Sequence, residues 1–155
     1  MTSKSQILLR EVTSKRDQVG QLLGEIEDLL YDIADADADA SWYSQAVPTD
    51  AVPDRLVDLG RHLRQMFVFE EDEGYLSEVL VSRPSLREDI ERLHDEHDRL
   101  LAQLDDVCEL AGSPVEPGST WDDVECHYRG FARALTGHHR DEDAVFDQAG
   151  TEQYC

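Results

Sequence analysis

The stretch that decides the fold is VECHYRGFARALTGHHRDEDAVFDQA, residues 124–149, in which a histidine and a glutamate interrupt an apolar helical stripe. His138 and Glu142 are four residues apart, so on a helix their side chains point toward the same spot one turn apart. Burying two ionisable groups without partners costs free energy, and the pattern therefore indicates a buried metal site. At alternating steps of four and three, this face carries Val124, Tyr128, Phe131, Leu135, His138, Glu142, Val145 and Ala149.

Three further segments repeat apolar residues at the same spacing, and each predicts a helix with one inward face. On the first of them, a second row beside the main stripe, made of Leu9, Arg16, Leu23 and Leu30, widens the apolar face. The alternating Asp and Ala of residues 34–40 predict a loop, and the later connections are short enough to make consecutive helices antiparallel. We expect an all-α fold, an antiparallel up-down-up-down four-helix bundle that forms a single domain over residues 1–155. The predicted helices cover about residues 5–34, 52–81, 85–111 and 120–149.

Composition limits the partners that the protein can have. With 155 residues, the chain is long enough for one domain with a sizeable core. Its 35 acidic and 14 basic residues give a formal charge of -21, which disfavours binding to nucleic acid and to anionic membranes. No basic start with an apolar core and no membrane-length apolar run is present, and the three cysteines form no CxxC pair, so we expect a cytoplasmic protein with reduced thiols. Nothing in the sequence specifies a protein partner.

Each of the four inner stripes has a polar interruption near its middle. Antiparallel packing can bring these interruptions into one layer of the bundle. A single inward histidine is usually a hydrogen-bonded core residue, but the coincidence of four stripes favours a site. Imidazole nitrogens and carboxylate oxygens suit iron, manganese or zinc, and two of each supply four ligands. The interruptions are Lys15 on the first helix, and Glu70, His97, His138 and Glu142 on the others, and we predict the last four as metal ligands.

The same residues resemble a known family, the hemerythrin-like or HHE cation-binding domains. The resemblance implies an antiparallel four-helix bundle whose core holds a non-haem di-iron centre, with His and carboxylate ligands from all four helices. It also implies a role in carrying or sensing oxygen, in sensing iron, or in handling redox stress. The motifs that carry it are Glu96-His97 followed by Leu100, Leu101 and Leu104, His138-x-x-x-Glu142 followed by Phe146, and Met66-x-x-x-Glu70-Glu71 followed by Tyr75.

Two histidines that the family has are missing from this chain. The family places a histidine one turn before the helix-two glutamate, where this chain has Met66, or Phe67 if Glu71 is the matched residue. It also places one on helix one, where the inward candidates here are Lys15 and Val19. Without those two nitrogens there are too few ligands for two metals, so we expect one ion, iron or alternatively zinc or manganese.

Alternatives remain open at this point. The bundle can be a metal-free relative in which the Lys15 ammonium neutralises an inward carboxylate, leaving a protein-interaction or regulatory module. An oxidase or peroxidase would need an open coordination position, and the sequence leaves enzymatic activity undecided. Without a metal, repulsion and burial are expected to raise the pKa values of both Glu70 and Glu142. Three histidines flank the stripes and are expected to be partly exposed rather than ligands, namely His62, His127 and His139.

Overall fold

The computed structural model describes residues 4–38, 51–73, 83–112 and 120–152. All regular structure in these residues is helical, and they contain no strand, which confirms the predicted all-α class. A π-helical turn, Phe69–Glu73, continues the second helix, and a short 3-10 turn, Pro84–Leu86, leads into the third. The four helices are α1 (Lys4–Ala38), α2 (Ala51–Val68), α3 (Arg87–Gly112) and α4 (Thr120–Glu152).

The helix ends differ from the sequence prediction in two places. The loop predicted from residue 34 is wrong at its start, because α1 continues to Ala38. Alternating alanines are strong helix formers, and this propensity carries the helix through the intervening aspartates. α4 likewise runs to Glu152, and the predicted helix over residues 74–81 lies outside the described residues. None of the described helices is both long enough and apolar enough to cross a membrane.

The helices pack as a closed ring, α1 against α2, α2 against α3, α3 against α4, and α4 against α1. Three pairs of neighbouring helices are antiparallel: α1 with α2, α2 with α3, and α1 with α4. In each pair, as residue numbers increase along one helix, the residues that they contact on the other helix have decreasing numbers. The ring and these directions agree with the predicted up-down-up-down bundle. The pairs are Glu25–Arg55 and Lys15–Phe69 for α1 with α2, Arg64–Asp105 and Glu70–His97 for α2 with α3, and Leu23–Tyr128 and Arg16–Glu142 for α1 with α4.

The core consists of two apolar clusters with a polar layer between them. The larger cluster draws on all four helices. Along α3, His97 lies between Leu93 of the smaller cluster and Leu100 of the larger one, and the polar residues of α4 are placed in the same way. The apolar stripes therefore fix the height of the polar groups in the bundle. The smaller cluster contains Val12, Leu86, Ile90, Leu93 and Val145.

One buried hydrogen bond joins α1 to α4 and gives a first prediction. The hydroxyl of Tyr128, a residue only 2% exposed, donates to the Leu23 carbonyl oxygen at 3.1 Å. Tyr128→Phe removes this bond and should lower the free energy of unfolding by about 1 kcal/mol. Urea denaturation measures the change. Tyr31→Phe is the matched control, because Tyr31 is 71% exposed, and an equal loss in both variants would contradict the assignment.

Candidate metal centre

The four residues predicted as ligands meet in the polar layer. Glu70 belongs to the π turn that continues α2, His97 to α3, and His138 and Glu142 to α4. Each is at most 1% exposed, and one nitrogen or oxygen atom from each lies within 4.8 Å of the others. The stripes of three helices thus bring two imidazoles and two carboxyls to one buried point.

The atoms that face this point have no hydrogen-bond partner among the described residues. They are both carboxyl oxygens of Glu70, Nε2 of His97 and of His138, and Oε2 of Glu142. His97 Nε2 lies 3.2 Å from Glu70 Oε2, and His138 Nε2 lies 3.7 Å from Glu142 Oε2. Buried polar atoms are rarely left unpaired, and a set of two nitrogens with carboxylate oxygens fits a transition-metal ion. The residues present therefore suit the cation that the sequence predicted.

The other ring nitrogens of the two histidines are held by carboxylates outside the cluster. His138 Nδ1 lies 2.9 Å from Glu96 Oε2, and His97 Nδ1 lies 3.3 Å from Glu71 Oε1. A proton on each Nδ1 is donated to its carboxylate, which leaves Nε2 as the lone pair facing the centre. Carboxylates commonly orient metal-binding histidines in this way. Glu70 is thus the inward glutamate, and Glu71, with a side chain 40% exposed, is the outer one.

The π turn explains how consecutive glutamates reach the same imidazole. Residues 69–73 form this turn where α2 enters the polar layer. Glu70 approaches Nε2 of His97, and Glu71 approaches Nδ1 of the same ring. Such local widening of a helix occurs frequently at functional sites.

Phe67 forms the apolar wall of the centre. Its ring stacks on His97, with centroids 3.8 Å apart and planes within 7°, and meets the edge of His138 at 5.8 Å. Met66, the other candidate for the missing helix-two histidine, is also fully buried. Phe67 contacts both imidazole rings, so it is a side chain of α2 that borders the centre.

The cation that neutralises an inward carboxylate is Arg16, and the expectation for Lys15 is wrong. Arg16 Nη2 lies 2.9 Å from Glu142 Oε1, and its Nη1 lies 2.6 Å from Asp143 Oδ1. Lys15 is half-buried, with its Nζ 5.5 Å from the centroid of the Phe69 ring. Arg16 was not predicted as this cation, because it lies in a row of α1 that is otherwise apolar. A charged residue in such a row was the feature of the sequence that could have identified it.

The two inward carboxyls have opposite pKa shifts. Burial, and then the charge of Glu142, raise the pKa of Glu70 well above its ordinary value. Burial alone would raise the pKa of Glu142, but the adjacent side chains of His138 and Glu70, together with the charge of Arg16, hold it below the ordinary value. The expectation that both pKa values rise is therefore wrong for Glu142. In the metal-free protein, the proton resides on Glu70 and can be donated to Glu142.

The two imidazoles also differ. Burial, with the nearby charge of His138, lowers the pKa of His97 to about 3, so this ring is neutral. Burial also opposes the charged form of His138, but the neighbouring Glu142 carboxylate and the hydrogen-bonded Glu96 carboxylate outweigh it and raise the pKa. Of the two rings, His138 therefore holds a second proton more strongly, and this proton competes with a cation for Nε2.

The remaining histidines lie outside the four-residue cluster. His127 is exposed, and its Nδ1 lies 2.8 Å from the Asp123 carbonyl oxygen. His62 and His139 are half-buried, as expected for residues that flank the stripes. Burial, and then the charge of Arg16, lower the pKa of His139 to about 4.

One family model matches part of the chain. Residues 88–153 match the hemerythrin HHE cation binding domain, whereas no curated protein and no solved structure matches the chain. The match runs from the first turn of α3 to the end of α4, and so includes His97, His138 and Glu142 but neither Glu70 nor Arg16. The match supports the resemblance noted in the sequence over α3 and α4, and the described residues form an all-α bundle.

Proposed function

We propose that this protein binds one transition-metal ion, iron or alternatively zinc or manganese, and serves in metal, oxygen or redox sensing or handling. The proposal rests mainly on one observation: buried atoms of four residues lie close together and have no hydrogen-bond partner among the described residues. These residues are Glu70, His97, His138 and Glu142. The family match, which concerns a cation-binding domain, supports the same conclusion. Bound there, iron would supply one-electron redox chemistry, whereas zinc would supply Lewis acidity.

Each residue has a distinct part in holding the ion. His97 and His138 offer Nε2, because the outer carboxylates engage Nδ1. Glu142 offers Oε2, since its Oε1 is already bound to Arg16. Glu70 offers either oxygen once its proton has left, and so completes a set of four ligands. The Phe67 ring covers one side of the site and shields it from water there.

Without a metal, fewer of the buried polar atoms in the centre have a partner. Arg16 neutralises one carboxylate, that of Glu142, through one oxygen. Both Glu70 oxygens, two imidazole nitrogens and the second Glu142 oxygen remain without partners. A proton on Glu70 supplies a single hydrogen bond among them, whereas a cation would engage an atom from each of the four residues. This difference favours a metal over a purely structural ion pair.

The test is metal binding to protein that has been treated with chelator. Fe(II) under anaerobic conditions, Zn(II) and Mn(II) are each titrated by calorimetry, and metal content is measured after desalting. We expect one ion per chain for at least one metal. His138→Ala should weaken binding at least about 100-fold, because it removes one of the two nitrogen ligands.

His127→Ala is the matched control, since His127 is an exposed histidine on the same helix. It should retain the affinity and stoichiometry of the unaltered protein. Failure of the unaltered protein to bind any of the three metals above about 0.2 equivalents would exclude the proposal. Equal loss in both alanine variants would place the site elsewhere.

A further inference from the structure

Arg16 lies in a second cation-binding environment next to the proposed metal centre. Its two terminal nitrogens contact carboxylates of neighbouring residues, Glu142 Oε1 at 2.9 Å and Asp143 Oδ1 at 2.6 Å. The side chain is only 20% exposed. A guanidinium held by two carboxylates is a cation in an oxygen-lined site.

A nitrogen donor borders the same environment. His139 Nε2 is buried and has no hydrogen-bond partner among the described residues. His139 and Asp143 are four residues apart on α4, so their side chains lie on the same face of the helix, and the centroid of the His139 ring lies 6.0 Å from that of His138. Two carboxylate oxygens and an imidazole nitrogen are ligands that a divalent transition metal accepts.

We propose that Arg16 occupies the position of a second metal ion and so limits the protein to one. Glu142 has one oxygen for each position: Oε2 faces the four-residue centre and Oε1 faces Arg16. A divalent metal ion beside the Arg16 guanidinium would be repelled by its positive charge at short range. The metal ion and the guanidinium therefore cannot both bind Glu142 Oε1. Removal of the guanidinium would expose Glu142 Oε1, Asp143 and His139 as ligands for a second ion. This inference rests on the proposed function, because it requires that the first centre binds metal.

The test compares the metal stoichiometry of three chelator-treated proteins with Fe(II), Zn(II) and Mn(II). The unaltered protein should bind one ion per chain. Arg16→Ser should bind two, with the second at least about tenfold weaker, because it has fewer buried ligands. Arg16→Lys keeps a positive charge beside Glu142 and should remain at one.

A double variant separates the second site from an indirect effect of Arg16→Ser. Adding Asp143→Asn to Arg16→Ser removes one ligand, and the stoichiometry should return to one. If Arg16→Ser is unfolded without metal, adding metal should refold it with two ions bound, as followed by circular dichroism; no refolding would overturn the inference. Two ions in the unaltered protein, or one or none in folded Arg16→Ser, would also overturn it. An unaltered protein that binds no metal would instead count against the proposed function.

Discussion

Metal is expected to raise the free energy of unfolding of the chelator-treated protein by about 2.7 kcal/mol at a hundredfold excess of free ion over its dissociation constant. The gain arises because the native bundle brings four ligands together, whereas the unfolded chain does not. Urea denaturation at neutral pH, with chelator and then with Zn(II) or Mn(II), measures the difference. Coincident unfolding curves under all conditions would contradict the metal centre.

The pH dependence of the metal-free protein follows from the shifted groups. Folding raises the pKa of Glu70, so its contribution to stability is present at low pH and is lost as pH rises through the raised value. Folding lowers the pKa of His97 from 6.5 to about 3, so stability is also lost as pH falls below about 6.5. Metal binding competes with the protons on Glu70 and His138, so the stabilisation by metal should grow as pH rises.

Glu70→Gln tests whether Glu70 causes the loss of stability of the metal-free protein as pH rises. The amide resembles the protonated carboxyl in shape and cannot ionise, so the metal-free variant should keep its stability as pH rises. It should also bind metal at least about tenfold more weakly, because a carboxylate ligand is gone. Glu71→Gln is the matched control, since Glu71 is the exposed neighbour on the same π turn. Metal-free urea titrations that fall equally with pH in both variants would remove Glu70 as the cause.

The sequence was sufficient to predict the bundle and the meeting of the four inward polar residues. Apolar residues recur at helical spacing on every segment, and their burial fixes which face of each helix points inward. His97 and Glu142 occupy positions in those stripes, so the burial of the stripes brings them into the core. Their shared height follows from short connections between antiparallel helices, which the sequence also contains.

Contacts made by the ends of long side chains could not be predicted from the spacing of residues along the sequence. Lys15 and Arg16 are adjacent, both side chains are long, and only the packing of α1 against α4 decides which one reaches Glu142. Whether Glu70 or Glu71 faces the centre depends on the π turn, because the residues of this segment do not follow the regular period of an α-helix. The low pKa of Glu142 has the same origin, since it requires Arg16 and His138 as partners.

Phe67→His is expected to destabilise the metal-free protein and to tighten metal binding. The variant replaces a buried ring stacked on His97 with a smaller polar one, and should cost roughly 3 kcal/mol in the absence of metal. With metal present, an added imidazole beside His97 and His138 should increase affinity at least about tenfold, equivalent to about 1.4 kcal/mol. Urea denaturation and calorimetric titration with Zn(II) or Fe(II) measure the two effects.

Met66→His is the matched comparison, because spacing alone pairs Met66 with Glu70 four residues later. Met66 is fully buried, so a polar replacement should cost roughly 1 to 3 kcal/mol without metal. The side chain stacked on His97 is that of Phe67, so an imidazole at position 66 should add little affinity. A gain in metal affinity from Phe67→His but not from the comparably destabilised Met66→His would locate the missing ligand at position 67. A larger gain from Met66→His would instead restore the assignment made from spacing, and no gain from either would mean that α2 does not face the ion through these positions.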